Sequence, residues 1–270
     1  MDASLVPRML IGLRSRKHIA PFELVRPASL DAARRALSAP GRNAVMAGGI
    51  DLIDRLKLGE AVDRVIHLAG VRELQGIRRD GDAVSVGALT THAEVISDPV
   101  LMEVLPDWPA IWRGIANPRV RHAGTIGGNL MSAMLHYDAS PALLALGASL
   151  IKADTLLERI GIPIAPHQRL LADRSLHPTI SLYLGARVEG GKIHSARIAV
   201  GCCYAQPATV DLPLAGVPVT SAGADAAAIA GKAAASFTEP ISDGLASGSY
   251  RRRMIEVLTR RLLIKLGSQP

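Results

Sequence analysis

Short apolar runs alternate with amphipathic stretches along the N-terminal part of the chain. Residues 22–26, Phe-Glu-Leu-Val-Arg, read as a strand closed by Pro27. Ser29 stands at an N-cap position before the helical pattern LDAARRALSA, which Pro40-Gly41 stops. Residues 43–47 predict a second strand running into Gly48-Gly49, after which residues 51–57 turn helical. Residues 64–68 form a third strand, in which His67 reads as a half-buried strand residue. Asp80-Gly81, between residues 74–77 and 83–87, signals a hairpin. The strand over 84–88 ends at Thr90 and Thr91, either of which can cap a helix. Helical patterns fill residues 99–116, with Trp108 and Trp112 one turn apart and directed at a core. Beyond a glycine-rich stretch, Ser140-Pro141 opens a helix and residues 148–152 a strand. Residues 179–188 and 192–204 alternate around Glu189-Gly190-Gly191, an antiparallel hairpin. An alanine-rich helix over 224–236 follows. A last helix over 250–266 places Met254, Leu258, Leu262 and Leu266 on one face and a basic face opposite.

With 270 residues and 49% hydrophobic content, the chain can bury the core of one large domain or two to three small ones. No apolar run is long enough to span a bilayer, so the mean hydropathy of +0.23 reflects alanine, leucine and valine in a core. The first twenty residues carry their short apolar piece ahead of the charges, the reverse of a secretory signal. Arg14 and Arg16 are split by Ser15, so there is no twin-arginine pair. Residues 1–20 therefore read as an extension, and the protein as cytoplasmic. Cys202 and Cys203 are adjacent; on a strand they would point to opposite faces, a poor disulfide or metal site, and they read as core. Iron–sulfur clusters commonly take four protein ligands, so no cluster is expected in this chain. The net charge of +7 raises a nucleic-acid reading, but with 3% aromatics there is no base-stacking platform, and an acidic protein partner fits the charge as well.

Candidate chemistry lies in two glycine turns. Gly124-Thr125-Ile126-Gly127-Gly128-Asn129 sets three glycines beside a hydroxyl and a carboxamide. Successive N–H groups in such a turn can form a nest for an anion, although the same composition also makes a plain surface turn. Asp138, an acceptor-only carboxylate, lies nine residues beyond Asn129. The strand, Gly48-Gly49 and helix sequence aims backbone N–H groups at a diphosphate. It is not a G-x-G-x-x-G fingerprint, and Gly231-Lys232-Ala233 is not a P-loop. No Ser–His–Asp arrangement or paired acid and base is evident, no histidine fits a ligand spacing, and no catalytic or metal-binding side chain is assigned.

Taken together, FELVRPASLDAARRAL, AGGIDLIDRLKLG, VIHLAGVRELQGI, VSVGALTTHAEV, NPRVRHAGTIGGNL, DASPALLALGA and PISDGLASGSYRRRMIEVLTRRLL resemble, in order and spacing, the FAD-binding medium subunit of the molybdenum hydroxylases, the xanthine dehydrogenase and carbon monoxide dehydrogenase-like enzymes. The resemblance implies an α+β fold: a two-subdomain FAD-binding (PCMH-type) domain over 21–178, divided near 75, then a C-terminal antiparallel sheet with packed helices over 179–270. It implies that Ala47, Gly48, Gly49, Ile50, Asp51 and Leu52 form a first flavin loop, and that Thr125, Ile126, Gly127, Gly128 and Asn129 close on the diphosphate from the other side. Asp138 is expected at the adenosine portion, Ile115 and Ala88 against the cofactor, and Arg169 towards the flavin ring. FAD is the implied cofactor here. The [2Fe–2S] clusters and molybdenum cofactor are expected in a small and a large partner subunit, assembled as a dimer of heterotrimers. The chain would then pass electrons from the clusters to NAD, a quinone or oxygen.

Three departures from the family pattern stand out. Position 50 is Ile where a small or polar residue is usual; the segment between Lys152 and Leu156 is shorter; and residues 166–178 match poorly. They leave two alternatives in view: an assembly subunit with weakened flavin function, or a stand-alone FAD oxidoreductase.

Overall fold

The computed structural model of the chain describes residues 19–132, 134, 137–174 and 179–268. Of the expected N-terminal extension, residues 1–18 lie outside this range. Strands β1 (Glu23–Val25), β2 (Asn43–Met46) and β3 (Arg64–His67) form a parallel sheet with β3 central, linked by helices α1 (Leu30–Ser38) and α2 (Ile50–Lys57). Ser29 caps α1, its hydroxyl accepting from the Ala32 N–H at 3.3 Å. Neighbours on a strand face opposite ways. Accordingly Ile66 packs with Ala33 of α1, and Val65 with Leu52 and Leu56 of α2, so the two helices cover the two faces of the sheet.

The hairpin of β4 (Ile77–Asp80) and β5 (Ala83–Gly87) begins a second, antiparallel sheet. Six short helices follow: α3 (His92–Ser97), α4 (Pro99–Val104), α5 (Trp108–Trp112), α6 (Pro118–Ala123), α7 (Ile126–Met131) and α8 (Ala139–Ala145). Thr91, rather than Thr90, caps α3 in a reciprocal box with Glu94. The helical pattern expected over 99–116 is broken, because Pro106 cannot continue α4. The two tryptophans stack at 4.2 Å between ring centroids in the core, and each indole N–H is bonded, to Val95 O and to His92 Nδ1. Strands β6 (Ser149–Ala153) and β7 (Leu156–Pro163), joined by the turn Asp154-Thr155, complete the sheet in the order β4-β5-β7-β6.

A strand lying before the expected boundary at 178 pairs with the sheet beyond it. Strand β8 (Gln168–Arg174) pairs along its length with β9 (Ser181–Glu189), so it belongs to the last sheet. That sheet runs β11-β10-β9-β8, with β10 (Lys192–Gly201) and β11 (Ala208–Asp211). On one side Leu182, Leu184, Ile198 and Val200 pack against α9 (Val219–Ala224), α10 (Ala226–Ala235) and α11 (Gly248–Gly267). Leu258, Leu262 and Leu266 are buried there, as the spacing predicts. On the other side Tyr183 and Ala199 join the core containing α8. The two bodies touch backbone to backbone: a Cβ on Gly185 would overlap the Ala145 carbonyl oxygen. Cys202 and Cys203 sit just past the end of β10 rather than on it; both are buried, and burial pushes both thiols up to about 12.

Candidate functional site

A cavity of about 840 Å³ opens where the three sheets converge. Its walls are the start of α2, the end of β5, the α5–α6 connection, α7, Asp138, the start of β7 and the end of β8. The volume lies within the range of small-molecule and cofactor sites.

At the α2 wall the backbone supplies the donors. Gly49 occupies the left-handed region at φ 75°, which turns β2 sharply into the helix, and no side chain caps it. The first intrahelical bond runs from the Ile53 N–H to Gly49 O. The N–H groups of Ile50, Asp51 and Leu52 thus have no intrahelical acceptor, and all three residues line the cavity. Such a helix start attracts an anion. Ile50 is partly exposed on this wall and brings no polar group to it.

The opposite wall works differently from the expected nest. The glycine stretch folds as two helices with a break at Gly124-Thr125, and its N–H groups are taken within the protein. Ile126 donates to Thr90 O, Gly127 to Ala88 O and Gly128 to the Thr125 hydroxyl. Here the glycines serve close approach. A Cβ on Gly127 would stand 2.6 Å from Ala88 O, and one on Gly48 would overlap the Ala123 carbonyl oxygen, so the two glycine turns pack directly on each other. Polar side chains replace the nest. Asn129 Oδ1, Ser132 Oγ and Asp138 Oδ1 are buried with no hydrogen-bond partner among the described residues, and all three residues line the cavity. Buried polar atoms are ordinarily satisfied, so these three mark where a ligand's hydroxyl or amino groups fit.

The lining includes Ala47, Gly48, Gly49, Ile50, Asp51, Leu52, Ala88, Ile115, Thr125, Gly127, Gly128, Asn129 and Asp138 of the residues singled out from the sequence. Two fall elsewhere. Ile126 turns into the hydrophobic core. Arg169 lies outside the lining and meets Asp107, Nε to Oδ2 at 2.8 Å, because its strand has joined the C-terminal sheet. Arg174, five residues on, reaches the cavity instead and donates to Asp138 Oδ2 at 2.7 Å. His92 and Ser132 also line the site without having been singled out. Ser132 is three residues after Asn129, a helical spacing that could have found it. His92 is buried, its Nδ1 accepts from Trp112, and desolvation, aided by the Arg121 charge, lowers it to about 4. It is therefore neutral at pH 7. Arg121 also stitches the wall at Ile115: its Nη1 donates to the carbonyls of Arg113, Ile115 and Ala116, the last in the left-handed region at φ 55°.

Open helix-start donors on one wall and unpaired acceptors on the other suit a phosphorylated ligand with hydroxyl groups. Residues 20–165, more than half of the chain, match the family described as the FAD binding domain in molybdopterin dehydrogenase. The chain belongs to this family. It is an FAD-binding medium subunit of the molybdenum hydroxylase type and the flavoprotein component of an oxidoreductase. Curated relatives of the medium subunit extend along almost its whole length. The nicotine 6-hydroxylase medium subunit of Paenarthrobacter nicotinovorans is 28% identical over 90% of this chain and 96% of its own. The carbon monoxide dehydrogenase medium chain of Afipia carboxidovorans is 29% identical over 89% and 94%. Among solved structures, a Cu,Mo-CO dehydrogenase in its cyanide-inactivated form superposes with a TM-score of 0.77 at 26% identity, covering 90% of this chain and 96% of that one. Among the described residues, no helix is long and apolar enough to cross a membrane.

Proposed function

We propose that this medium subunit is an electron relay. It takes electrons from [2Fe–2S] clusters of a small partner subunit, which are filled in turn from a molybdenum cofactor in a large one, and passes them to NAD, a quinone or oxygen. Bound flavin supplies the chemistry, since it accepts electrons singly and can release them in pairs. The chain's own work is to hold and orient. The N–H groups at the start of α2 would hold the diphosphate; Asn129 and Ser132 would take hydroxyl groups of the linker; and Ile115 and Ala88 would give an apolar surface. Asp138, with one oxygen unpartnered among the described residues, would accept from a hydroxyl or amino group of the cofactor. A cytoplasmic dimer of heterotrimers is the assembly proposed, in keeping with relatives whose names mark them as medium chains and subunits. The observation that carries the reading is the cavity whose buried acceptors lack partners opposite an uncapped helix start.

The test is the visible spectrum of the purified chain, alone and co-expressed with its small and large subunits. Stoichiometric FAD, reduced by the complex's substrate only when all three subunits are present, is the expected result. A chain that stays colourless with excess FAD, both alone and in the complex, would end this proposal.

A further inference from the structure

Helix α11 carries two stripes, and one of them is used by the fold. Leu258, Leu262, Leu263 and Leu266 are buried with the C-terminal sheet, α9 and α10. On the opposite face Tyr250, Arg253, Val257, Arg260 and Ile264 follow one another at steps of three, four, three and four residues. That spacing keeps all five on one line along the helix, about 21 Å from first to last. The line alternates apolar and cationic side chains. Tyr250 is 48% exposed and Ile264 44%, with Val257 half-buried between them. Arg253 and Arg260 form no ion pair among the described residues, whereas their neighbours Arg251, Arg252 and Arg261 are held by Asp243, Glu239 and Asp173. Glu256, the one acidic residue of the helix, pairs with neither. A face that meets only water has no need of a large apolar group at every seventh position. That repeat is the one with which a helix seats against a second helix.

The line is also held in place from beneath. Ser247 caps the helix, its hydroxyl accepting from the Tyr250 N–H at 3.2 Å. The buried Arg251 guanidinium donates to the carbonyls of Thr179 and Ile241 and to both carboxylate oxygens of Asp243. A surface fixed in this way has little backbone freedom left to lose on docking. Charge then decides between occupants. A second copy of α11 laid along the line would bring the arginines of both helices into one desolvated strip, and like charges there oppose association. The net charge of +7 opposes self-association at longer range. Carboxylates one turn from apolar residues match both features of the line.

We propose that the outward face of α11 is a docking seam for an acidic amphipathic helix of another subunit, whose apolar residues meet Tyr250, Val257 and Ile264 and whose carboxylates meet Arg253 and Arg260. This rests on the multi-subunit reading above and goes beyond it in naming the face and the chemistry of what covers it.

The test uses this chain co-expressed with its small and large subunits. A photo-crosslinking benzoylphenylalanine placed at Val257 is expected to join an acidic helical segment of one of those subunits, located by mass spectrometry. Arg253→Glu combined with Arg260→Glu should lower the amount of partner retained on size-exclusion chromatography by about tenfold or more. Wild-type retention should fall as salt rises from about 50 to about 500 mM. Arg253→Lys with Arg260→Lys keeps both charges and should retain most of the association, and Tyr250→Ala with Ile264→Ala should weaken it while leaving its salt dependence in place. These side chains lie outside the cavity lining, so FAD content and thermal melting of the isolated variants should match wild type. If a variant melts early, the cross-link and the salt dependence of wild type decide. Equal assembly of the charge-reversed variant, or a cross-link to a second copy of this chain, overturns the seam and leaves the multi-subunit reading intact. So does binding of anionic vesicles or RNA that the charge reversal abolishes while assembly persists. A wild-type chain that joins neither subunit overturns both.

Discussion

Two residues show how backbone and burial set up the site. Gly48 has no room for a side chain, because its Cα faces the Ala123 carbonyl across the contact between the glycine turns. Gly48→Ala must push those turns apart. We expect a loss of about 1–3 kcal/mol in urea unfolding and of FAD binding together, since the same contact sets the cavity width. A variant that kept both would show that the turns are not held by this approach. His92 acts through protonation. Its folded value lies near 4, below the ordinary 6.5, because burial disfavours the imidazolium. Between those values only the unfolded chain takes up the proton, so the folded state loses stability as pH falls from about 6.5 to about 4, at up to about 1.4 kcal/mol per unit, and is unaffected by this group above that window. Urea midpoints measured across the window should fall in wild type and fall less steeply in His92→Asn, whose amide oxygen can still accept from Trp112.

At the scale of elements, the caps decide where the short helices start, and most could be read in advance. Ser29, Thr91 and Asn117 are side chains that bond the first turn of their helices. Thr91→Ala removes the reciprocal box with Glu94 and is expected to cost about 1 kcal/mol. A change in the melting midpoint of less than a degree would contradict this. The strands were legible because their apolar positions alternate or cluster between glycines and prolines. Most of the glycine stretch at 124–129 lines the cavity, but its role is not legible from its composition. Three glycines signal freedom to bend, while only the packed structure shows that the N–H groups of Ile126, Gly127 and Gly128 already have acceptors in Thr90 O, Ala88 O and the Thr125 hydroxyl. The place of β8 was hidden for a related reason. Residues 168–174 have the burial pattern of a half-covered strand, which says nothing about which sheet pairs with it.

At the scale of the whole molecule, the cavity is shared by three sheets, and local pattern could not reveal that. Arg174 and Asp138 are thirty-six residues apart and meet only because α8 packs on β9 and carries Asp138 to the end of β8. The short β6–β7 turn does line this cavity, through Thr155, so the segment that is short in sequence is also part of the site wall. A ligand held by all three sheets should stabilise them together. At one hundred times its dissociation constant, FAD would add about 2.7 kcal/mol. For a protein of this size that is roughly 2–4 °C for each kcal/mol. Calorimetry of the full chain should therefore show one transition moving upward with FAD. If the C-terminal sheet melted in a separate step that FAD left unmoved, the end of β8 would contribute nothing to holding the ligand. The cavity would then be closed by the first two sheets alone.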